Sequence, residues 1–164
     1  MPPGKTRTLL LLGSNIEPAR HIRRARGILI VQYLIEATSK VYDGPAVGDL
    51  DGPRFQNQAI VLRGDEPVEE LRTAFRKVEE DLGRVRTENV NGPRTIDIDV
   101  LARIDEAGAV TPEVPVSPDL LRFHHVVLPV LEILPNLVVP GDGRTVEEIA
   151  RDLGPPPRDF RSLP

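Results

Sequence analysis

The sequence predicts an α+β fold in which helices cover both faces of an antiparallel sheet. Three observations predict it: two segments with helical apolar periodicity, several short apolar or alternating segments, and the order in which they follow one another. That order is strand, helix, strand, strand, helix, strand. It is the order of the split βαβ, or ferredoxin-like, arrangement βαββαβ, whose two helices lie on one face of the sheet.

The first predicted strand is Arg7–Leu12, an apolar run that ends at a Gly-Ser-Asn turn. A helix then begins at Pro18, because proline suits the first helical position, and Ser14 or Asn15 could cap it. His21 has arginine neighbours and is predicted to lie on the exposed side of this helix. The apolar stripe of the helix consists of Ala19, Ile22, Ala25 and Leu29.

The middle of the chain supplies two more strands and the second helix. Leu34–Tyr42 is predicted to be a strand, and Asp43–Arg54, rich in glycine and proline, a loop. Phe55–Leu62 alternates as the next strand, with Phe55 and Asn57 on the same face. The second helix ends at Gly83, a residue suited to a left-handed C-terminal position. Its apolar residues follow in steps of three and four: Val68, Leu71, Phe75, Val78 and Leu82.

The last strand of this series, residues 95–101, carries two carboxylates on one face. Asp97 and Asp99 alternate with apolar residues, so their Cα atoms would be about 6.6 Å apart, at roughly 3.3 Å per residue. Like charges this close repel each other unless a cation lies between them, and oxygen ligands suit Mg²⁺. Arg84 and Arg94 lie nearby in the sequence, and guanidinium groups beside metal-bound carboxylates are the parts needed to transfer a polyphosphate. The alternative is a solvent-facing strand edge.

The remainder of the chain is predicted to cover the second face of the sheet. Pro118–Leu134 and Thr145–Leu153 are the candidate helices for this layer, which gives three layers, αβα. Residues 1–153 are predicted to form a single domain. Residues 154–164 are predicted to be a Pro-rich, poorly ordered tail.

The composition excludes several classes of function. The 164 residues include no cysteine, which excludes disulfides and thiolate catalysis. A net charge of −4 and an aromatic content of 4% argue against a nucleic-acid-binding sheet. No apolar run approaches the roughly 20 residues of a membrane helix, and the N-terminus lacks a signal-like run. We therefore expect a cytoplasmic monomer that acts on small molecules, with no nucleic-acid or membrane partner.

Five short motifs follow one another along the chain. They are Leu-Gly13-Ser-Asn15, Phe55-x-Asn57, Glu79-x-x-Leu-Gly83-Arg84-x-Arg86, Gly92-Pro93-Arg94-Thr-x-Asp97-x-Asp99 and Leu-Pro129-Val-Leu-Glu132-Ile-x-Pro135. Over nearly its whole length the chain thereby resembles the 6-hydroxymethyl-7,8-dihydropterin pyrophosphokinase family of folate biosynthesis. The resemblance implies a ferredoxin-like domain that moves diphosphate from ATP to the hydroxymethyl group of the pterin and releases AMP.

The resemblance also implies a role for individual residues. Asp97 and Asp99 would hold two Mg²⁺ ions, Arg84 and Arg94 would be catalytic, and the loop Arg86–Gly92 would close over the site. The residues implied for pterin binding are Gly44, Pro45, Val47, Phe55, Asn57 and His125. Those implied for ATP binding are Glu79, Arg86, Ile98 and Arg122.

Some of these positions also have simpler explanations. On spacing alone, Phe55 could be a core residue and Asn57 could satisfy a nearby turn. Glu79 could be a solvated helix residue or an ion-pair partner of Arg76 or Lys77. Phe123 or His124 could take the stacking position in place of His125.

The chain departs from the family pattern at three positions. Val116-Ser117 stands where the family usually has a histidine, Asn91 where a large aromatic residue is common, and Gly44 where threonine is common. These departures keep a second hypothesis open, namely a divergent or non-catalytic pterin- or nucleotide-binding domain on the same fold.

Overall fold

The structure, a computed structural model, describes residues 4–47, 52–84 and 94–164. Its strands are β1 (Arg7–Ser14), β2 (Leu34–Thr38), β3 (Tyr42–Gly44), β4 (Phe55–Arg63), β5 (Asp97–Ile104) and β6 (Arg161–Ser162). Its helices are α1 (Pro18–Gln32), α2 (Val68–Asp81), α3 (His124–Ile133) and α4 (Val146–Leu153), with a short 3-10 helix, Pro118–Leu121, before α3. Among the described residues, none of the helices has both the length and the apolar character needed to cross a membrane.

The sheet is antiparallel, with the order β5-β1-β4-β3-β6. Strand β2 also pairs with β4, along the half of β4 that β3 leaves free. The elements β1, α1, β2, β4, α2 and β5 thus form the predicted βαββαβ core. The predicted α+β, ferredoxin-like fold is confirmed.

Two apolar cores, one on each face of the sheet, confirm the three-layer arrangement. Leu10 and Leu12 of β1 point to the face covered by α1 and α2, where Phe75 is fully buried. Leu9 and Leu11 point to the face covered by α3 and α4, where Val127 is fully buried. Side chains alternate between faces along a strand, so β1 contributes to both cores.

Alternation along β5 sets the direction in which the two carboxylates project. Ile96 and Ile98 belong to the core under α1 and α2, so Asp97 and Asp99 project from the opposite face. In the sheet, Gly13 of β1 lies opposite Asp97 on one side and opposite Asn57 on the other. Three strands therefore bring one row of residues together at the end of the sheet.

The start of α1 differs from the prediction. Its N-cap is Glu17, in a left-handed conformation with a φ of 41° and no side-chain cap. Asn15 instead accepts a hydrogen bond from the backbone N–H of Arg94 (2.7 Å). His21 is buried rather than exposed, with its Nδ1 2.6 Å from the carbonyl oxygen of Ile16, while Ala19 is exposed. The predicted positions of His21 and Ala19 were therefore wrong, whereas Ile22, Ala25 and Leu29 are buried as predicted.

The predicted strand Leu34–Tyr42 is two strands, and the loop assigned to Asp43–Arg54 begins with the second of them. Ser39 interrupts the ladder, because its hydroxyl oxygen accepts a hydrogen bond from the backbone N–H of Ala59 (2.9 Å). The helix predicted for Pro118–Leu134 is also interrupted, between the 3-10 helix and α3.

The C-terminal residues 154–164 are not the poorly ordered tail that was predicted. Strand β6 pairs with β3, and the backbone N–H of Leu163 donates to the carbonyl oxygen of Val41 (2.7 Å). The prolines stop helix formation after α4, but they leave the following residues free to pair with the edge of β3.

Candidate active site

Two clefts meet at the pair of carboxylates. The larger cleft, of about 670 Å³, lies across the ends of β1, β3, β4 and β5. The smaller, of about 430 Å³, lies beside β5 and α2. Both volumes lie in the range of small-molecule sites. The two clefts share Asp97, Asp99, Leu101 and Ser117.

Asp97 is held between two arginines. Nη1 of Arg84 donates to Oδ1 of Asp97 at 2.5 Å, and Nη1 of Arg94 donates to Oδ2 at 3.0 Å. The side chains of Arg84 and Asp97 are only 13% and 16% exposed, so water screens this pair weakly. Without a ligand, the two guanidinium groups therefore balance the charge of Asp97.

Asp99 lines both clefts, and its carboxyl group lies beside that of Asp97. Removal of its carboxyl group from bulk water, and then the charge of Asp97, raise the pKa of Asp99 to about 7. Glu79 adds to this effect, and Arg94 opposes it. A cation between Asp97 and Asp99 would relieve this repulsion.

The donor set fits a hard cation that takes oxygen ligands. Asp97 and Asp99 line both clefts, and the described residues contain no group of three or more side chains that could hold a metal ion. Mg²⁺ commonly uses one or two protein carboxylates and completes its shell with water and substrate phosphates. The pair therefore suits an ion shared with a phosphate-bearing ligand.

Glu79 joins the end of α2 to β5. Its side chain is only 4% exposed and lies with its Oε2 3.3 Å from Nη1 of Arg84. Its Oε1 accepts a hydrogen bond from the backbone N–H of Ile98 (2.9 Å). Ile98 lies between the two aspartates, so Glu79 positions both the carboxylate strand and one of the arginines. The simple interpretation of Glu79 as a solvated helix residue was wrong.

Asn57 and Phe55 form part of the floor of the larger cleft. Asn57 is 5% exposed, and a Cβ atom on Gly13 would lie 2.9 Å from its Oδ1. Glycine at position 13 therefore leaves room for this amide. The guanidinium carbon of Arg94 lies 5.9 Å from the centre of the Phe55 ring, within cation–π range.

The structure brings most of the residues implied for pterin and ATP binding to one of the two clefts. The larger cleft is lined by Gly44, Pro45, Val47, Phe55, Asn57, Arg94, Arg122 and His125, together with both aspartates. The smaller is lined by Glu79 and Ile98, again with both aspartates. Arg86 and the rest of the loop Arg86–Gly92 lie outside the described residues.

Two positions differ in detail from the expectation. Arg122, implied for ATP binding, lines the larger cleft rather than the smaller one and pairs with Asp119 (2.9 Å). Of the three candidates for stacking, Phe123 and His125 line the larger cleft and stack on each other with ring centres 5.4 Å apart. His124 instead has its Nε2 3.0 Å from the carbonyl oxygen of Gly154.

Phe160 also lines the larger cleft, and the sequence analysis missed it. It is the only aromatic residue in the sequence of segment 154–164, and this was the one feature of the sequence that could have indicated a role for it. Ser117 was noted as a departure from the family pattern, and it lies where the two clefts meet.

Comparison with known proteins agrees with this geometry. The family model described as 7,8-dihydro-6-hydroxymethylpterin-pyrophosphokinase matches residues 9–135. A 2-amino-4-hydroxy-6-hydroxymethyldihydropteridine pyrophosphokinase of Methylorubrum extorquens is 37% identical over 92% of this chain and 95% of its own length. One with the same name from Pseudomonas aeruginosa is 31% identical over 87% of this chain and 89% of its own.

A solved structure supports the fold. The HPPK-DHPS protein of Plasmodium falciparum, a triple mutant with pteroate, superposes with a TM-score of 0.65 at 13% identity. The alignment covers 92% of this chain but only 43% of that protein, so the present chain spans less than half of it. Because the family model and the two relatives match most of its length, this chain belongs to the 7,8-dihydro-6-hydroxymethylpterin-pyrophosphokinase family of diphosphate-transferring enzymes.

Proposed function

We propose that this enzyme transfers diphosphate from ATP to 6-hydroxymethyl-7,8-dihydropterin, releasing AMP, in folate biosynthesis. One observation carries the proposal: two clefts of small-molecule size meet at a pair of carboxylates flanked by arginines. A transfer between two bound molecules requires both to reach the same reacting atoms. Asp97 and Asp99 border both clefts.

The larger cleft suits the pterin. A flat heterocycle can lie against the ring of Phe55, while the amide of Asn57 offers both a donor and an acceptor to its edge. The shared residues at the end of this cleft would face the hydroxymethyl group. The smaller cleft, beside α2, would take the nucleotide.

The reaction exchanges one phosphorus–oxygen bond for another. The hydroxymethyl oxygen would bond to the β-phosphorus of ATP as the bond from that phosphorus to the oxygen bridging to the α-phosphate breaks. AMP leaves with the bonding pair, and the hydroxyl proton passes to water. No protein nucleophile is required, so catalysis rests on alignment and on neutralised charge.

The residues of this chain would supply both. Asp97 and Asp99 would hold Mg²⁺, and the bound ion would supply the charge that neutralises the phosphates. Arg84 and Arg94, which pair with Asp97, would bind phosphate oxygens through their guanidinium N–H groups. Glu79 would keep Arg84 at the site during this exchange.

The test is the identity of the nucleotide product. The protein is incubated with ATP, magnesium chloride and 6-hydroxymethyl-7,8-dihydropterin, and nucleotides are separated by chromatography. We expect AMP to form only when the pterin is present. Formation of ADP, or ATP consumption that does not depend on the pterin, would contradict the proposal. Pterin binding by calorimetry without turnover at saturating ATP would favour the non-catalytic alternative.

A further inference from the structure

We propose that Phe160, from the C-terminal segment 154–164, is a specificity-determining residue that forms a wall of the pterin cleft. The inference rests on the proposed function, since it takes the pterin as the occupant of the larger cleft. Three features of the structure support it: the anchoring of the segment, the location of the ring, and the glycine beneath it.

The segment is fastened at both ends. The carbonyl oxygen of Gly154 lies 3.0 Å from Nε2 of His124. Farther along, Arg54 donates to the carbonyl oxygen of Asp159 at 2.5 Å and to Oδ1 of Asp43 at 2.5 Å. Pairing of Arg161 with Asp43 continues the sheet. The position of Phe160 is therefore fixed by contacts on either side of it.

The ring of Phe160 extends the aromatic surface of the cleft. It stacks on Tyr42 with ring centres 6.0 Å apart and an angle of 27° between the planes. Tyr42 is the register partner of Asn57, and Gly44 is the partner of Phe55. Side chains of register partners share a face of the sheet, so Phe160, which stacks on Tyr42, lies on the face that carries Phe55 and Asn57.

Gly44 is the feature that admits the ring. A Cβ atom at this position would overlap Cδ2 and Cε2 of Phe160. Gly44 is not among the glycines with a positive φ in the described residues, so backbone conformation does not require glycine there. The ring of Phe160 occupies the space that a side chain at position 44 would take, beside Phe55. Gly44 and Phe160 are thus a matched pair, although they lie far apart in the sequence.

The consequence is a cleft wall that only the folded C-terminal segment provides. A flat heterocycle bound against Phe55 would meet the half-buried ring of Phe160 at the neighbouring position. Contacts between aromatic rings have preferred geometries, so this wall would favour a ring system of a particular width. It lines only the larger cleft, so its effect should fall on the pterin and not on ATP.

The test is a set of steady-state measurements on the wild type and four variants, each with its melting temperature. We expect Phe160→Ala to raise KM for the pterin about tenfold, with KM for ATP changed by less than twofold. Gly44→Ala should also raise the pterin KM, because it displaces the ring. The double variant should be no worse than Phe160→Ala alone, since the two changes remove the same contact. Arg158→Ala, an exposed change in the same segment, is the control and should leave both constants unchanged.

Other outcomes are decisive as well. An unchanged pterin KM in Phe160→Ala would overturn the inference, as would equal rises in both KM values with a lower melting temperature, which indicate a structural role only. Additive effects of the two single changes would refute the pairing with Gly44. Turnover by the wild-type enzyme tests the proposed function separately. If the wild type binds the pterin without turnover, calorimetric affinities of the same variants decide the inference. If the wild type binds no pterin, both the proposed function and the inference fail.

Discussion

Replacing Glu79 should separate its two roles, as acceptor for a backbone N–H and as partner of an arginine. Glu79→Ala removes both, whereas Glu79→Gln keeps an acceptor oxygen for Ile98 and puts an uncharged NH₂ group where the second oxygen faces Arg84. The residue is 3% exposed, and its two carboxylate oxygens contact Ile98 and Arg84. Water cannot readily replace either contact.

The expected loss of stability follows from these contacts. A buried donor left without an acceptor costs about 1–3 kcal/mol, here the N–H of Ile98. Losing one member of a buried ion pair costs about 3–5 kcal/mol, but Arg84 keeps Asp97 as a partner, which reduces that share. We expect about 3 kcal/mol for Glu79→Ala and about 1 kcal/mol for Glu79→Gln. For a domain of this size, each kcal/mol lowers the melting temperature by roughly 2–4 °C.

Scanning calorimetry on the ligand-free protein measures these differences. Glu80→Ala is the matched control, because Glu80 is the exposed neighbour on the same helix, and its melting temperature should stay within about 1–2 °C of the wild type. The reasoning is refuted if Glu79→Ala and Glu80→Ala unfold at the same temperature. It is also refuted if Glu79→Gln is as unstable as Glu79→Ala, since the backbone acceptor would then contribute nothing.

Four further predictions concern the carboxylate pair and the floor of the cleft. Asp99→Asn should lower kcat by roughly 100-fold or more, because a bound metal ion supplies several kcal/mol of transition-state stabilisation. Because the folded pKa of about 7 lies above the ordinary value of 3.8, ionised Asp99 destabilises the ligand-free fold as the pH rises from about 4 to above 7. The same variant should therefore melt higher than the wild type at pH 8, with the gain vanishing near pH 4; a lower melting temperature at pH 8 would contradict this. Calorimetry with Mg²⁺ and ATP should show about tenfold weaker metal binding at pH 6 than at pH 8, because Asp99 is mostly protonated at pH 6. An affinity that does not depend on pH would argue against Asp99 as a metal ligand. Gly13→Ala should raise the pterin KM because its Cβ would crowd Oδ1 of Asn57 at 2.9 Å, whereas Gly27→Ala, with nothing within 4 Å of the added Cβ, should leave KM unchanged and stabilise α1 by about 0.5–1 kcal/mol.

Local periodicity was enough to predict the core elements. The helical spacing of Leu71, Phe75 and Val78 placed all three residues in one core, and alternation along β4 placed Ala59 and Ile60 in different cores. These signals are reliable because the faces of a helix or strand are set by the backbone repeat. The same rule put Asp97 and Asp99 on one face before the structure was known.

Errors arose where a residue's surroundings depend on the shape of a turn or on a distant part of the chain. His21 has arginine neighbours in the sequence, but the left-handed turn at Glu17 aims it inward at the Ile16 carbonyl. Asn15 was expected as a helix cap, but it accepts from the distant Arg94 instead. The Asn15–Arg94 contact could not be read from the local pattern, because hydrogen bonds between remote segments form only once the sheet is assembled. The contact of His21 is local, but it depends on the conformation of the turn before α1, which helical spacing does not specify.

The sequence by itself determined the order of elements, the two core faces and the carboxylate pair, since each depends on residues within one helix or strand. Only the tertiary structure decided that two clefts meet at that pair, that Glu79 is buried under Arg84, and that Phe160 fills the space over Gly44. Contacts of this kind depend on the register between strands and on the path of the C-terminal segment. Burial and charge at the site are therefore properties of the assembled sheet, and no single segment carries them.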